Sequence, residues 1–187
     1  MILVEFRELE TKRLVLRKLR RSDTQDYYDR LGSSEAVTRY MLFSPHRDIS
    51  ESAASVEKTL RRYEAGNGYR WCIARKEDDR LIGVIDLLRL DPEAETCSFA
   101  YMLGEAFWGK GYGTEALKAV LSFAFQDLKV RSVIADHMAE NAASGAVMRK
   151  AGMEYQHTEK AKYEKNGVFH DAPVYKISRS VGIGGNS

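Results

Sequence analysis

Only two cysteines, Cys72 and Cys97, and three prolines occur among the 187 residues. Two cysteines set singly in apolar, strand-like runs are too few for a disulfide framework, and no His clusters beside them to make a zinc site. The four histidines, His46, His137, His157 and His170, stand apart without a His-Glu-x-x-His or similar spacing, so no metal is expected. An excess of one charge is also missing. Lys and Arg number 29 against 27 Asp and Glu, a net charge of +2, which falls short of the dense basic stripe of a nucleic-acid binder. The nearest approach, Arg17-Lys18-Leu19-Arg20-Arg21, reads as a solvated strand end. No apolar stretch nears the roughly 20 residues that span a bilayer, and the first residues lack the basic-then-apolar shape of a signal peptide. Neither nucleic acid nor membrane is an expected partner, and a reducing cytoplasm is the expected compartment.

What the chain does have is a clear alternation of elements. Residues 13–19 read as a first strand. It ends at Ser22, which with Gln25 has capping-box spacing and opens a helix over 23–31. A weaker helix covers 34–41. Asp48 or Ser50 caps the next one, whose apolar positions Ala53, Val56, Leu60 and Tyr63 keep helical spacing until Gly66-Asn67-Gly68. Three strands follow, Tyr69–Arg75, Leu81–Leu90 and Thr96–Leu103, joined by turns short enough only for antiparallel hairpins. Thr114–Phe125 carries the strongest helical stripe: Leu117, Val120, Leu121 and Ala124. Then come a strand at Ser132–Ala135, a helix opened by Asn141 and closed by Gly152, and a hairpin of 153–164 and 168–177 turning at Asn166-Gly167. There is no repeat and no linker. The order predicts an α+β fold with a mixed, mostly antiparallel central sheet and helices on both faces. One parallel crossover joins the strands at 96–103 and 132–135. Residues 1–179 are expected to form a single domain, with 180–187 a flexible tail.

Chemistry concentrates in Trp108-Gly109-Lys110-Gly111-Tyr112-Gly113-Thr114, a glycine turn between strand and helix. The first N–H groups of a helix have no partner within it, and the helix dipole places partial positive charge there. Glycines at 109, 111 and 113 let the main chain turn tightly and let phosphate oxygens approach, and Lys110 adds a cation. A diphosphate is the natural guest. A turn without a ligand is one alternative reading. A P-loop is another, since Gly104-x-x-x-x-Gly109-Lys110 matches its first seven positions. The eighth is Gly111, however, so the hydroxyl that should hold magnesium is absent. The antiparallel strands before it also do not build a parallel sheet.

The same run resembles the acetyl-CoA signature of the GNAT superfamily of N-acetyltransferases. Gly111 and Gly113 fill its two small positions, while Trp108 stands where Gln or Arg is usual. That form, with Thr114-Glu115-Ala116 after it, is similar to the RimJ/RimL-type branch, the ribosomal-protein N-terminal acetyltransferases and their relatives. The likeness runs from the opening Thr11–Arg17 to the closing hairpin and includes Asn141-x-x-Ser144.

The resemblance implies that acetyl-CoA is the cosubstrate. Its pyrophosphate would lie on Gly109–Thr114 beside Trp108, including Lys110 and Tyr112. Its pantetheine arm would enter a splay between the fourth and fifth strands, against Met102 and Leu103 on one side and Asn141 and Ser144 on the other. It further implies direct attack by a primary amine, with a fourth-strand N–H near Met102 or Leu103 stabilising the oxyanion. The Glu that many relatives carry three residues before the strand tyrosine, here Tyr101, is replaced by Ser98. Candidates for catalysis are therefore Ser144, as proton donor to the leaving thiolate, and Ser98, as part of a water relay. His170-Asp171 could orient a base, and Pro173 implies a bulge or an edge. The acceptor is expected to be a protein N-terminus or a small molecule such as a polyamine, amino sugar or amino acid. A non-catalytic acyl-CoA sensor is the alternative from another class, motivated by Ser98. The protein is expected to be a monomer or homodimer.

Overall fold

The computed structural model describes residues 4–66 and 68–179; the tail expected at 180–187 lies outside the described residues. The chain opens with β1 (Leu9–Glu10) and β2 (Leu14–Arg17) and continues through a 3-10 turn at Arg21–Asp23 into α1 (Thr24–Tyr27), a π-helical turn (Tyr28–Gly32) and α2 (Glu35–Thr38). After α3 (Ile49–Glu64) come β3 (Tyr69–Arg75), β4 (Leu81–Asp91) and β5 (Thr96–Leu103). A 3-10 turn at Glu105–Phe107 leads to α4 (Tyr112–Gln126), β6 (Ser132–Asp136), α5 (Ala142–Lys150), β7 (Glu154–Lys165) and β8 (Val168–Ser178).

All eight strands form one sheet in the order β1-β2-β3-β4-β5-β6-β8-β7. Every pairing is antiparallel except β5 with β6. The mixed sheet read from the sequence is therefore present, with β1 as an addition, so the expected splay between strands four and five falls between β5 and β6. Each face carries its own apolar cluster. One joins Trp71, Ile85, Phe99 and Leu103 to Leu117, Val120 and Phe123 of α4. The other joins Cys72, Val84 and Met102 to Tyr27 and Leu31 and to Val56 of α3. Trp71 is fully buried, edge-on to Phe123 at 5.3 Å, and its indole N–H donates to the Arg7 carbonyl at 2.9 Å. Both cysteines are buried free thiols.

Some local expectations change. The capping box at Ser22 and Gln25 does not form: Asp23 accepts from the Arg20 N–H at 2.7 Å, Gln25 turns to Asp29, and the helix of 23–31 breaks into 3-10, α and π segments. Asp23 is held there because the buried Arg17 guanidinium donates to both of its oxygens, at 2.8 and 2.9 Å. The stretch 34–41 is helical only over Glu35–Thr38, capped by Ser34. Asp48, one of the two caps read from the sequence, is the one that caps α3. Pro173 sits in β8, an inner strand, but just beyond the last β6 pair, Asp136↔Val174, so no ladder bond to β6 is lost at its ring.

Beyond α2 the chain carries Tyr40 and Met41 without regular structure. Lys165, at the end of β7, fastens this stretch by donating to the Thr38 carbonyl at 2.8 Å and the Met41 carbonyl at 2.6 Å.

Gly83 on β4 has no room for a side chain: a Cβ there would lie 2.5 Å from the Met102 carbonyl oxygen of β5. Gly83→Ala is expected to push the two strands apart and lower unfolding free energy by about 1–3 kcal/mol, read from urea midpoints.

Candidate active site

The turn before α4 is built by backbone geometry that L side chains resist. Gly109 has φ 72° and Gly111, the residue that caps α4, φ 81°. Nothing lies within 4 Å of a Cβ placed on Gly109. Because Gly111 turns the chain there, α4 starts at Tyr112, two residues before the start read from the sequence. Gly113 is buried in its first turn, where a Cβ would meet Tyr101 at 3.6 Å and Val147 at 3.7 Å. A bulkier residue would drive α4 away from β5 and α5.

The opening of the chain clamps this helix start. Glu115 accepts from Thr11 Oγ1 at 2.6 Å, from the Arg13 N–H at 2.8 Å and from Arg13 Nε at 2.7 Å. Arg13 also donates to the Lys110 carbonyl at 3.0 Å and lies over the Tyr112 ring at 4.2 Å. Burial opposes charge on Glu115, but the hydrogen bonds from Thr11 and Arg13 outweigh it and hold the carboxyl below the usual range. Lys110, read as a cation for the ligand, instead donates to the Ala106 carbonyl at 2.8 Å and closes the 3-10 turn. Arg13 is the cation beside the turn, its Nη2 3.5 Å from a Cβ placed on Gly111.

On the sheet side, β5 and β6 are paired only at Thr96↔Ser132 and Cys97↔Val133 and then separate. The Met102 carbonyl faces Gly83 of β4, whereas the Leu103 carbonyl turns the other way and accepts from Trp108 Nε1 at 2.6 Å. The N–H and C=O of one strand residue share a direction, so it is the N–H of Leu103, and not that of Met102, which faces the gap. Half-exposed Trp108 thus carries out a task that Gln or Arg would do differently: it pins the end of β5. A cavity of about 300 Å³ follows this gap to the glycine turn. Met102, Leu103, Trp108, Gly109, Gly111, Tyr112, Gly113, Thr114, Asn141 and Ser144 all line it, and Lys110 does not.

A second cavity, about 340 Å³, opens on the other side and contains Ser98, Phe99, Ala100 and Asp136. The two share Tyr40, Met41, Tyr101, Asn141 and Ser144. Asn141 caps α5, its Oδ1 accepting from the Ser144 N–H at 3.3 Å, and the Ser144 hydroxyl lies 3.3 Å from that of Tyr101. Burial pushes the Tyr101 phenol above its ordinary pKa, against a smaller opposite effect of Ser144, so it stays protonated at neutral pH. Ser98 lines only the second cavity, on the strand before the junction. His170 and Asp171 do not act together. His170 faces Glu140 at 3.1 Å, while Asp171 binds Lys160 at 2.7 Å and the Ala161 N–H at 3.0 Å. The sequence pointed to neither Tyr40 and Met41, which lie in an irregular stretch, nor the Arg13–Glu115 clamp. The clamp's only sign was Thr11-x-Arg13 in the opening motif.

A gap in the sheet leading to a glycine-capped helix is the geometry of one large family, whose acetyltransferase (GNAT) domain profile matches residues 13–154. The chain belongs to the GNAT acetyltransferases. Over 83% of its length, and 83% of the relative's, it is 30% identical to a Bacillus subtilis protein named probable N-acetyltransferase YjcK. It is 26% identical, over 64% of this chain and 70% of the other, to the ribosomal-protein-serine acetyltransferase of Escherichia coli. The spermidine N-acetyltransferase of Vibrio cholerae, solved with CoA and spermine, superposes with a TM-score of 0.77 at 18% identity, covering 91% of this chain and 98% of that one. The GNAT chain described here is an acetyl-CoA-dependent N-acetyltransferase, and its likeness to the Escherichia coli ribosomal-protein-serine acetyltransferase is consistent with the RimJ/RimL-like branch. Among the described residues no helix is long and apolar enough to cross a membrane, and no group of His, Cys, Asp and Glu is placed to hold a metal.

The depressed Glu115 carboxyl stabilises the fold fully above the ordinary carboxylate range, and that contribution is lost as pH falls through its folded value. Glu115→Gln should therefore lower the melting temperature near neutral pH and flatten the acid limb of the wild-type stability curve, measured by thermal melts from pH 7 downward.

Proposed function

We propose that acetyl-CoA and a primary amine occupy the two cavities together, and that the amine attacks the acetyl group directly at their junction. The observation that carries this reading is that both spaces share Tyr101, Asn141 and Ser144. A ping-pong enzyme would need a nucleophile there, and none of the shared side chains is an activated one. Residues 1–179 act as one acyl-CoA N-acyltransferase domain.

In this reading the pyrophosphate of acetyl-CoA lies on the N–H groups of Gly111–Thr114, with Gly109 open to the solvent side and Arg13 as a flanking cation. The group fits: the turn offers space where a Cβ would stand, and among the described residues the first N–H groups of α4 have no protein partner. The pantetheine arm runs along Met102 and Leu103, facing Asn141 and Ser144. Bound there, the cosubstrate supplies the activated acyl carbon. The Leu103 N–H stabilises charge on its oxygen, a donor type typically worth about 3–4 kcal/mol. Ser144, backed by the protonated Tyr101 hydroxyl, gives a proton to the departing sulfur. Ser98 holds water on the amine's side.

The acceptor we favour is a protein α-amino terminus. The second cavity opens between the 40–42 stretch and Tyr163 and is walled by Met41, Leu42, Leu88 and Phe99. Such a wall suits an uncharged first side chain of a peptide. Arg89 and Asp136, which both line it, leave no excess of negative charge to favour a polycation such as a polyamine. The E. coli relative named for ribosomal-protein serine acetylation supports the same choice.

Thiol release from acetyl-CoA should be fast with short peptides of small or apolar first residue and slow with spermidine; preference for spermidine would overturn this acceptor. Gly111→Asp would add a side chain and a negative charge to the turn on which the pyrophosphate is proposed to lie. CoA affinity by calorimetry should fall at least roughly a hundredfold, and wild-type affinity in that variant would move the site elsewhere. CoA should raise the melting temperature, and ATP with magnesium should not. Ser144→Ala should lower kcat by about a hundredfold, the low end for a positioned acid because a thiolate leaves without much help.

A further inference from the structure

The family-type reading leaves the amine's proton without a strong acceptor, since Ser98 is a hydroxyl. A carboxylate is nonetheless present across the gap. Continuing the register from Cys97↔Val133 places Ile134 opposite Ser98, Ala135 opposite Phe99 and Asp136 opposite Ala100, just where β5 and β6 have parted. In-register residues of parallel strands project to the same face. Phe99 and Ala135 both join the α4 cluster, whereas Met102, two residues beyond Ala100, joins the α1–α3 cluster. Asp136 therefore emerges on the same side as Ala100, and it lines the second cavity with Ser98, Tyr101, Asn141 and Ser144.

Its side chain is 11% exposed and held from β7. Lys162 Nζ donates to Oδ2 at 2.8 Å, and the Tyr163 hydroxyl donates to Oδ1. A carboxylate has about four lone-pair sites, so this pairing leaves it free to accept more. Lys162 also bonds Glu159 at 3.0 Å and keeps a partner if Asp136 turns to another cation. The other charged or titratable groups facing this space are Arg89 from β4, His137 beside it in the chain, and Tyr40 and Tyr101.

We propose that Asp136 receives the acceptor's ammonium and takes its proton, replacing across the gap the Glu that β5 lacks at Ser98, with Lys162 and Tyr163 as positioning residues. This rests on the ternary-complex reading above. The ammonium gives one proton to the Asp136 carboxylate, and the neutral nitrogen bonds the acyl carbon as the carbon–sulfur bond breaks. A second proton leaves the nitrogen and, through the Ser144 side, one proton reaches the sulfur. The carboxylic acid then returns its proton to water, so each turnover releases one proton overall.

The test compares Asp136→Asn with wild type on two acceptors, an ordinary peptide amine and methoxyamine, which is already neutral at the assay pH. The variant should lose kcat/KM about a hundredfold or more with the peptide but less than about threefold with methoxyamine. Its rate with the peptide should also rise further toward high pH than wild type's. Equal losses on both acceptors, or none on either, overturn the proposal. CoA binding by calorimetry should match wild type, which separates this carboxylate from the cofactor site. If Asp136→Asn does not fold, Asp136→Ala with added formate serves instead: rate restored with the peptide supports the proposal, and no restoration overturns it. Wild-type protein that binds CoA but acetylates neither amine would sink the ternary-complex reading itself. Asp136 is then judged by calorimetry of amine binding to the CoA-loaded protein, which Asp136→Asn should abolish and which, if unchanged, overturns the proposal.

Discussion

The parallel ladder between β5 and β6 stops after two residue pairs, and the rest of the active region depends on that interruption. A continuous ladder would satisfy the edge of β5 with β6 and leave no passage through the sheet. With the ladder broken, backbone groups at the end of β5 need other partners. Leu103 finds one in the Trp108 indole, and its N–H remains directed into the gap. The separation also lets a cavity form on each side, joined where Tyr101 and Ser144 meet. Each strand is meanwhile secured on its other flank, β5 by β4 and β6 by β8, so the gap stays open without loosening the sheet.

Charge is placed with the same economy. The helix start opens on a cavity, and its own acidic first-turn residue, Glu115, is turned away from it and held by Thr11 and Arg13. The Arg13 guanidinium then bridges that carboxylate, the Lys110 carbonyl and the Tyr112 ring. The N-terminal strand region and the glycine turn are therefore one mechanical unit, although about a hundred residues separate Arg13 from Glu115 along the chain.

Features governed by local chemistry could be read from the sequence. Asn166-Gly167 adopts φ 53° and 76°, the left-handed pair that a tight hairpin turn demands. The stripe of Leu117, Val120, Leu121 and Ala124 is buried as its spacing requires. The glycines of the turn could be read because few other residues take their backbone angles. Features set by which partner a side chain finds once the chain is folded could not. The Ser22–Gln25 capping pattern is locally sound, but Arg17 draws Asp23 into a buried ion pair and changes the helix start. Lys110 resembles a ligand cation in sequence and is spent on a carbonyl four residues back. Asp136 gives no signal at all, because its neighbours in the cavity come from strands and loops across the fold.

Lys165 illustrates what such distant bonds accomplish. Tyr40 and Met41 border both cavities, yet they belong to a short stretch with no ladder or helix of its own. Left alone, that stretch would sample many shapes, and any visitor would have to bear the entropy of choosing one. By gripping the Thr38 and Met41 carbonyls from the far end of the chain, the lysine settles the choice during folding. The wall shared by the two cavities is preorganised, so a molecule bound there would lose less affinity to ordering it.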